Sequence, residues 1–468
     1  MTILPAAGIA FPLSVPILVI GGGACGLTAA LAARDAGAEV LVLERDPSPS
    51  GSTAMSSGMI PAAGTKVQAA HGVDDSSDLF AADIQAKAHG ENDPAFVAAI
   101  AAASGPTVDW LIARHELNLT FFEGFLYPGH SRMRMHAPPA RSGADLISGL
   151  LAASRAAGAD VVTDAQVTTL YTGPDERVDG VELRRPDGAS ERIGCGAVIL
   201  ASSGFGGDIE LVLRHIPEMA TAYFHGHAGN KGDALRWGQS LGAATRHLGA
   251  YQGHGSVATP HNILITWALM MEGGIQVNVL GRRFSNEHSG YSEQAVRVLA
   301  QPGGVAWNVY DERLHRLGLG FEDYREAEKA GALRSATTTG ALAEACGLPQ
   351  ATLSATMTET AKLAAGIGYD QFGRDFRTKP PLMPPYCAVK VAGALFHTQG
   401  GLVVNADARV LRLDGTPLPN LFAGGGAACG VSGSGSDGYL SGNGLLAAVI
   451  LGAKAGSKAS VLGRTKDT

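Results

Sequence analysis

Gly21, Gly23 and Gly26 fill the three glycine positions of a G-x-G-x-x-G turn, and an acidic residue, Glu44, follows it. That spacing suits a dinucleotide. The first glycine allows the tight turn, the second lets a pyrophosphate approach the backbone, and the third lets a helix pack closely on a strand. The helix behind the turn offers unsatisfied N–H groups and the positive end of its dipole to the phosphates, and the Glu44 carboxylate can accept ribose hydroxyls. A glycine turn alone is a weak signal; its neighbours give it weight. The β-branched run Pro16–Ile20 precedes it, an alanine-rich helical stretch 27–36 follows and stops at Gly37, and a second buried strand, 39–43, delivers Glu44. Strand, turn, helix and strand in this order make a right-handed βαβ unit, the opening of a doubly wound parallel sheet. NAD and FAD share this fingerprint. Gly51-Ser52-Thr53, the strand and turn 198–207 and a glycine-rich C-terminal segment favour FAD.

These residues need a scaffold, and the chain supplies its pieces in a recognisable order. Helical spacing covers 143–157, and strands are expected at 160–171, 177–184 and 197–201 around a polar hairpin at Pro186 and Gly188. From about 233 to 375 the pattern changes to mixed helices and short strands, read as an inserted α+β cap. Prolines at 380, 381, 384 and 385 mark the return, after which strands at 400–405 and 421–423 and a last helix at 442–455 are expected. The expected organisation is a Rossmann-type FAD-binding domain in two parts, 1–235 and 376–468, with a cap at 236–375.

The length of 468 residues allows two or three cores. A net charge of -7 gives no basic field for nucleic acid or anionic lipid. No apolar run reaches the ~18 residues of a membrane span before glycine, proline or charge interrupts it, so a soluble protein is expected. Five scattered cysteines without a C-x-x-C pair argue against a zinc site or a disulfide framework, and no metal is expected. A reducing cytosol is the expected compartment. Residues 1–16 lack a basic start, so they read as a loose arm and not a signal peptide.

Beyond the glycine turn and Glu44, the landmarks are residues 198–206 (VILASSGFG), Gly232-Asp233, residues 283–287 (RFSNE), residues 397–401 (HTQGG) and residues 420–425 (NLFAGG). With these the chain resembles the fumarate reductase and succinate dehydrogenase flavoprotein superfamily over nearly its whole length. The expected FAD contacts are Gly21, Gly23, Ala24 and Gly26; Glu44 and Arg45; Ser52, Thr53, Ser57 and Gly58; and Val167. They continue through Ala201, Ser202, Gly204 and Gly425 to Gly442, Asn443, Leu445 and Leu446. Two positions depart from the family. Gly426 stands where many members carry a glutamate near the ribityl chain, and Ser52 lies near the flavin-linking histidine of the respiratory branch. The resemblance therefore implies non-covalent FAD.

In the fumarate-reducing branch, one arginine after the R-F-x-N-E motif donates a proton and another near the C-terminus clamps a substrate carboxylate. The matching positions here hold Tyr291 and Tyr439. A neutral phenol cannot pair a carboxylate bidentately as a guanidinium does. With Gly438, Ser441 and Gly442, the second site is similar to the G-Y-x-S-G segment of a ketosteroid dehydrogenase branch. That likeness implies α,β-desaturation of a cyclic ketone, with Tyr439 and Ser441 holding the carbonyl and Tyr291 removing the α proton. A phenol titrates near ~10 when unperturbed, so such a base needs its surroundings. His397 and, less directly, His254 are further candidates for binding a substrate oxygen. Arg132, Arg134 and Arg141, with His130 and His136, read either as a receiver for a substrate carboxylate or as a solvated loop. Trp267, Met270 and Met271 read as the lining of an apolar channel or as core. The expected partners are a small-molecule substrate and an electron acceptor that the sequence does not identify. The rival readings are a fumarate-type reductase of unsaturated carboxylates and a non-catalytic FAD-binding protein.

Overall fold

The computed structural model describes residues 1–123 and 126–463. It divides into two compact units, one of Met1–Ile216, Gly226–Tyr251 and the chain from His397 onward, the other of Pro217–His225 with Gln252–Phe396.

In the first unit the strand Leu13–Ile20 lies between Ser190–Leu200 and Val40–Leu43, parallel to both, and Asp160–Val162 extends the sheet beyond Val40–Leu43. Ile17, Leu18 and Val19 are completely buried, as expected of a parallel strand covered on both faces. The register decides where a ligand goes. Ile20 pairs with Leu43 and with Leu200, and Leu200 pairs with Ala423 of the strand Pro417–Ala423. Four parallel strands thus end together, and Gly21, Glu44, Ala201 and Gly424 emerge side by side at their carboxyl ends, where open α/β sheets bind ligands.

Several expected elements differ in detail. The sheet is mixed, because the hairpin of Gln166–Thr172 and Val178–Arg184 pairs antiparallel with Ser190–Leu200. The expected strand 160–171 is two strands, and Asp164 between them has φ 53°. Thr2–Pro5 is no loose arm; it pairs in parallel with Thr169–Thr172. The last helix, Asn443–Gly463, outruns its expected end and packs along Ala24–Asp35. Gly452 and Gly456 let it approach, since a Cβ on either would strike the Cys25 or Ala29 carbonyl.

Two helices, Pro94–His115 and Asn443–Leu462, are long and apolar enough to cross a membrane by length and composition, although no membrane span was expected. Within the fold, 39% and 67% of their apolar windows are buried.

The second unit is built on a sheet whose central path runs Ile263–Leu264, Tyr251–Ala258, Tyr386–Thr398, Val305–Asp311 and Ile275–Val277. Ile275, Val277 and Val309 from this sheet pack with Leu342, Leu353 and Phe376 of the following segments to form a core.

Candidate active site

The cofactor cleft lies wholly in the first unit. The structure brings together Gly21, Gly23, Ala24, Glu44, Arg45, Ser52, Thr53, Val167, Ala201, Ser202 and Gly425 around it. The three glycines separate as their roles require. Gly21 has φ 109°, and a Cβ there would come within 2.5 Å of the Ala201 carbonyl oxygen. A Cβ on Gly26 would collide with the Gly21 carbonyl, whereas one on Gly23 would meet only Thr53 Oγ1, at 3.7 Å. The middle glycine therefore faces open space at the mouth of the helix Ala24–Asp35, where a pyrophosphate needs bare backbone. Glu44 Oε2 accepts the Gly22 N–H at 2.7 Å and Oε1 accepts that of Asp46 at 3.0 Å, so the carboxylate is oriented and has lone pairs left for hydroxyls. Ser202 Oγ, in this lining, is buried without a hydrogen-bond partner among the described residues. An unpartnered hydroxyl at Ser202, bare backbone at Gly23 and an acidic acceptor at Glu44 fit the ADP end of FAD.

The remaining expected contacts do not line this cleft. Gly26 lies beneath the turn. Gly58, which with Ser57 precedes the strand Ile60–Pro61, faces the start of the helix Gly143–Ala156, where a Cβ would lie 2.8 Å from the Ser142 carbonyl. Gly204 is pressed against Thr398 and Gly426, Gly442 has φ 87° against Pro61, and Asn443, Leu445 and Leu446 open the last helix. Gly426 has a physical reason to be glycine: a Cβ there would lie 2.8 Å from the Gly204 nitrogen.

Asp46, Gln166, His227, Asn230 and Trp237 also line the cleft and were not expected from the sequence, whereas Asp233 lines it as part of the Gly232-Asp233 landmark. His227 Nε2 pairs with Asp46 Oδ2 at 3.0 Å, Asn230 donates to Ser52 Oγ at 2.8 Å, and Arg45 donates to the Gly229 carbonyl at 2.9 Å. Gly229-Asn230 is a glycine-asparagine pair of the kind that marks a turn, but nothing in its local pattern indicates that it returns to the first strand ends.

A second array in the same unit contains His397 and Tyr439, and Ser441, two residues on, is buried with its carbonyl 2.9 Å from His130 Nε2. Asn443 Nδ2 donates to Ser432 Oγ at 3.1 Å, Ser432 Oγ donates to Gln399 Oε1 at 2.7 Å, and Gln399 Nε2 donates to His397 Nδ1 at 3.0 Å. His397 therefore carries its hydrogen on Nε2. Burial pushes its pKa down to about 4, leaving a neutral donor. The ring lies edge-on to Tyr439 with centroids 5.7 Å apart, and the Tyr439 oxygen accepts the Gly444 N–H at 3.5 Å.

Tyr291 and His254 belong to the second unit. Tyr291 is the first residue of the helix Tyr291–Leu299, follows Gly290 at φ 146°, and is 8% exposed. The His254 ring stacks on it at 4.8 Å and on Phe396 at 5.3 Å, and meets Trp267 edge-on at 5.8 Å. Ser256 donates its N–H to His254 Nδ1 at 3.2 Å, which again leaves the hydrogen on Nε2. Burial, with a smaller contribution from His225, pushes the pKa down to about 3. Trp267 and Met270 are buried in the core here.

The RFSNE segment holds the loop ahead of Tyr291. Arg283 grips Glu287 through Nε and Nη2 at 2.9 and 2.8 Å and reaches Asp370 at 2.6 Å, while Arg374 meets Glu287 Oε2 at 2.9 Å. Burial alone would raise the Glu287 carboxyl, but the guanidiniums of Arg374 and Arg283 outweigh it and hold the pKa at about 2. A depressed carboxylate stabilises the fold fully above its unfolded value of 4.5 and loses that contribution as pH falls toward 2. Acid melting monitored by tryptophan fluorescence is expected to show this loss, and Glu287→Gln, which leaves two cations short of a partner, is expected to cost about 3–5 kcal/mol. A variant with unchanged acid stability would remove Glu287 as the keystone.

The basic stretch divides between its members, with Arg132 solvated and Arg134 buried. Arg134 is buried and paired to Asp75 and Asp83; Arg132 is exposed, with Nε on the Asp74 carbonyl; the Arg141 guanidinium lies 4.2 Å above the Phe122 ring. His136 Nε2 lies 2.9 Å from Thr65 Oγ1.

Comparison with known proteins agrees with this geometry. Residues 16–445 match the family described as FAD binding domain. The probable fumarate reductase Ifc3 of Shewanella frigidimarina is 30% identical over 447 residues, 95% of this chain and 74% of that protein. A 4-oxocyclohex-2-ene-1-carboxylate 5-dehydrogenase of Sinomonas cyclohexanicum is 29% identical over 380 residues, 71% of this chain and 62% of that protein. An open flavocytochrome c3 fumarate reductase superposes with a TM-score of 0.81 at 30% identity, covering 98% of this chain and 80% of its own. The 3-ketosteroid-Δ4-(5α)-dehydrogenase of Rhodococcus jostii shares the fold with a TM-score of 0.76 at 23% identity, covering 98% and 100%.

Glu44→Ala is expected to weaken FAD retention by about 1.5–3 kcal/mol, the usual worth of a hydrogen bond to a charged acceptor. FAD dissociation followed by flavin fluorescence checks this. Equal retention would assign the ribose to another residue.

Proposed function

The chain belongs to the FAD binding domain family within the fumarate reductase and succinate dehydrogenase flavoproteins, as an FAD-dependent oxidoreductase acting on CH–CH groups, and on that footing we propose that it desaturates a cyclic ketone next to its carbonyl. FAD is held without a covalent link. Held by the glycine turn 21–26 and Glu44, FAD would supply the two-electron acceptor for the β hydride. Tyr291 takes the α proton. Tyr439 and Ser441 donate hydrogen bonds to the carbonyl oxygen, where negative charge develops as the enolate forms. His397 and His254, each neutral with its hydrogen on Nε2, are further donors for a substrate oxygen. Loss of the proton and the hydride leaves a carbon–carbon double bond conjugated with the carbonyl.

One observation carries this reading: both buried histidines are depressed far below neutrality and have Nδ1 already engaged. Groups in that state are poor bases and good donors, so proton removal falls to a tyrosine. The 29% identity to a dehydrogenase of a ring ketone bearing a carboxylate supports the substrate class.

A second reading, reduction of an unsaturated carboxylate, is favoured by the identity to a fumarate reductase over most of the chain. It needs guanidiniums for the substrate, yet Arg134, Arg283 and Arg374 are spent on the protein's own carboxylates. Anaerobic mixing separates the two. Cyclohexanone-type ketones or 3-ketosteroids are expected to bleach the oxidised flavin. Reduced enzyme reoxidised by fumarate or urocanate, with no response to any cyclic ketone or enone, would overturn the desaturase reading.

A further inference from the structure

We propose that His130 is a positioning residue for the segment Tyr439–Ser441, with its hydrogen-bonding direction set by the buried cluster of Arg134, Asp75 and Asp83; this rests on the assignment of Tyr439 and Ser441 as carbonyl anchors. Arg134 is 1% exposed. Its Nε and Nη2 bind the two oxygens of Asp75 at 2.8 and 2.9 Å, and Nη1 donates to Asp83 Oδ2 at 2.5 Å. The guanidinium also lies 4.7 Å from the centre of the Phe80 ring, so it is held on two edges and one face.

Its Nη1 is 3.3 Å from His130 Nδ1. A guanidinium has only donors, so Nδ1 is the acceptor and the imidazole hydrogen sits on Nε2. That nitrogen is 2.9 Å from the Ser441 carbonyl oxygen, which can only accept. A donor on one side and an acceptor on the other leave a single neutral tautomer, and stacking on Phe80 with centroids 6.0 Å apart fixes the ring plane.

The same turn makes a second contact with the segment. Gly129 has φ 83°, and a Cβ there would come within 2.7 Å of Leu440 Cδ1. Gly438 and Gly442 bound the segment, the first against the Ser432 carbonyl and the second against Pro61. Between these two glycines, His130 Nε2 holds the backbone by a hydrogen bond to the Ser441 carbonyl. Removing its donor leaves a buried carbonyl unsatisfied and releases the hydroxyls from their aim.

The test uses FAD-loaded, full-length protein and 4-nitrophenol, a phenol that mimics the enolate, with binding read as a change in the absorption of oxidised enzyme. His130→Asn keeps an acceptor for Arg134 but is too short to reach Ser441, whereas His130→Gln reaches it. The asparagine variant is expected to bind the probe roughly tenfold more weakly, the loss associated with one buried hydrogen bond, while the glutamine variant stays close to wild type and both retain FAD. His130→Phe, which keeps the ring on Phe80 without a donor, replaces the asparagine variant if that loses FAD. Wild-type binding by the donor-less variant, or equal loss in the glutamine variant, overturns the positioning role while a weakened Tyr439→Phe leaves the carbonyl anchor standing. Probe binding indifferent to Tyr439→Phe overturns the anchor, and this inference with it.

Discussion

Replacing Tyr291 with phenylalanine is expected to slow flavin reduction by a ketone substrate about 100-fold or more, the usual effect of deleting a positioned acid or base, while FAD stays bound. The substitution removes one oxygen and keeps the ring. Stacking on His254 depends on that ring, and the helix start is held by the Gly253 N–H donated to Ser292 Oγ at 2.9 Å, so the change isolates the hydroxyl. The pH profile adds a second check. His254 and His397 titrate near 3 and 4; each is neutral above its own value, so the rate is expected to rise with pH with no inflection in the usual histidine range. Anaerobic rapid mixing measures both. A near-wild-type rate in Tyr291→Phe would show that the base is not this phenol, and an inflection between about pH 6 and 7 would point to a histidine.

Tyr439→Phe is expected to fail differently. It deletes a donor to the developing oxyanion, a loss worth about 2.7–4 kcal/mol in the transition state, or roughly 100- to 1,000-fold in rate. Because the enolate carries more charge on oxygen than the ketone does, binding of phenolate mimics should weaken more than binding of the ketone itself. Tyr291→Phe has no reason to show that asymmetry. Ketone and phenol dissociation constants measured for both variants separate the roles; equal loss for the two ligands in Tyr439→Phe would mean that the tyrosine holds the substrate uniformly and is not specific to the transition state.

The cofactor turn was legible in the sequence because its chemistry is local. Gly21, Gly23, Gly26 and Glu44 lie within one βαβ unit, where the strand register that aligns Ile20 with Leu43 also aligns the turn with the carboxylate. Tyr291 and Tyr439 stood out because the resemblance matches them to positions where the fumarate-reducing branch carries arginine. The sequence could not determine what surrounds them. The tautomer of His397 depends on Gln399, Ser432 and Asn443, and that of His254 on Ser256 and its burial among Tyr291, Phe396 and Trp267. Protonation follows from desolvation and from the direction of neighbouring hydrogen bonds, neither of which has a period or a spacing. The basic stretch shows the same limit. Arg132, Arg134 and Arg141 look alike as a run of cations, yet only the fold brings Asp75 and Asp83 to Arg134 and turns a candidate substrate receptor into a buried support. Residue types thus determined which cofactor and which reaction class to expect, while tertiary packing decided the charge state and the hydrogen-bonding direction of the groups around them.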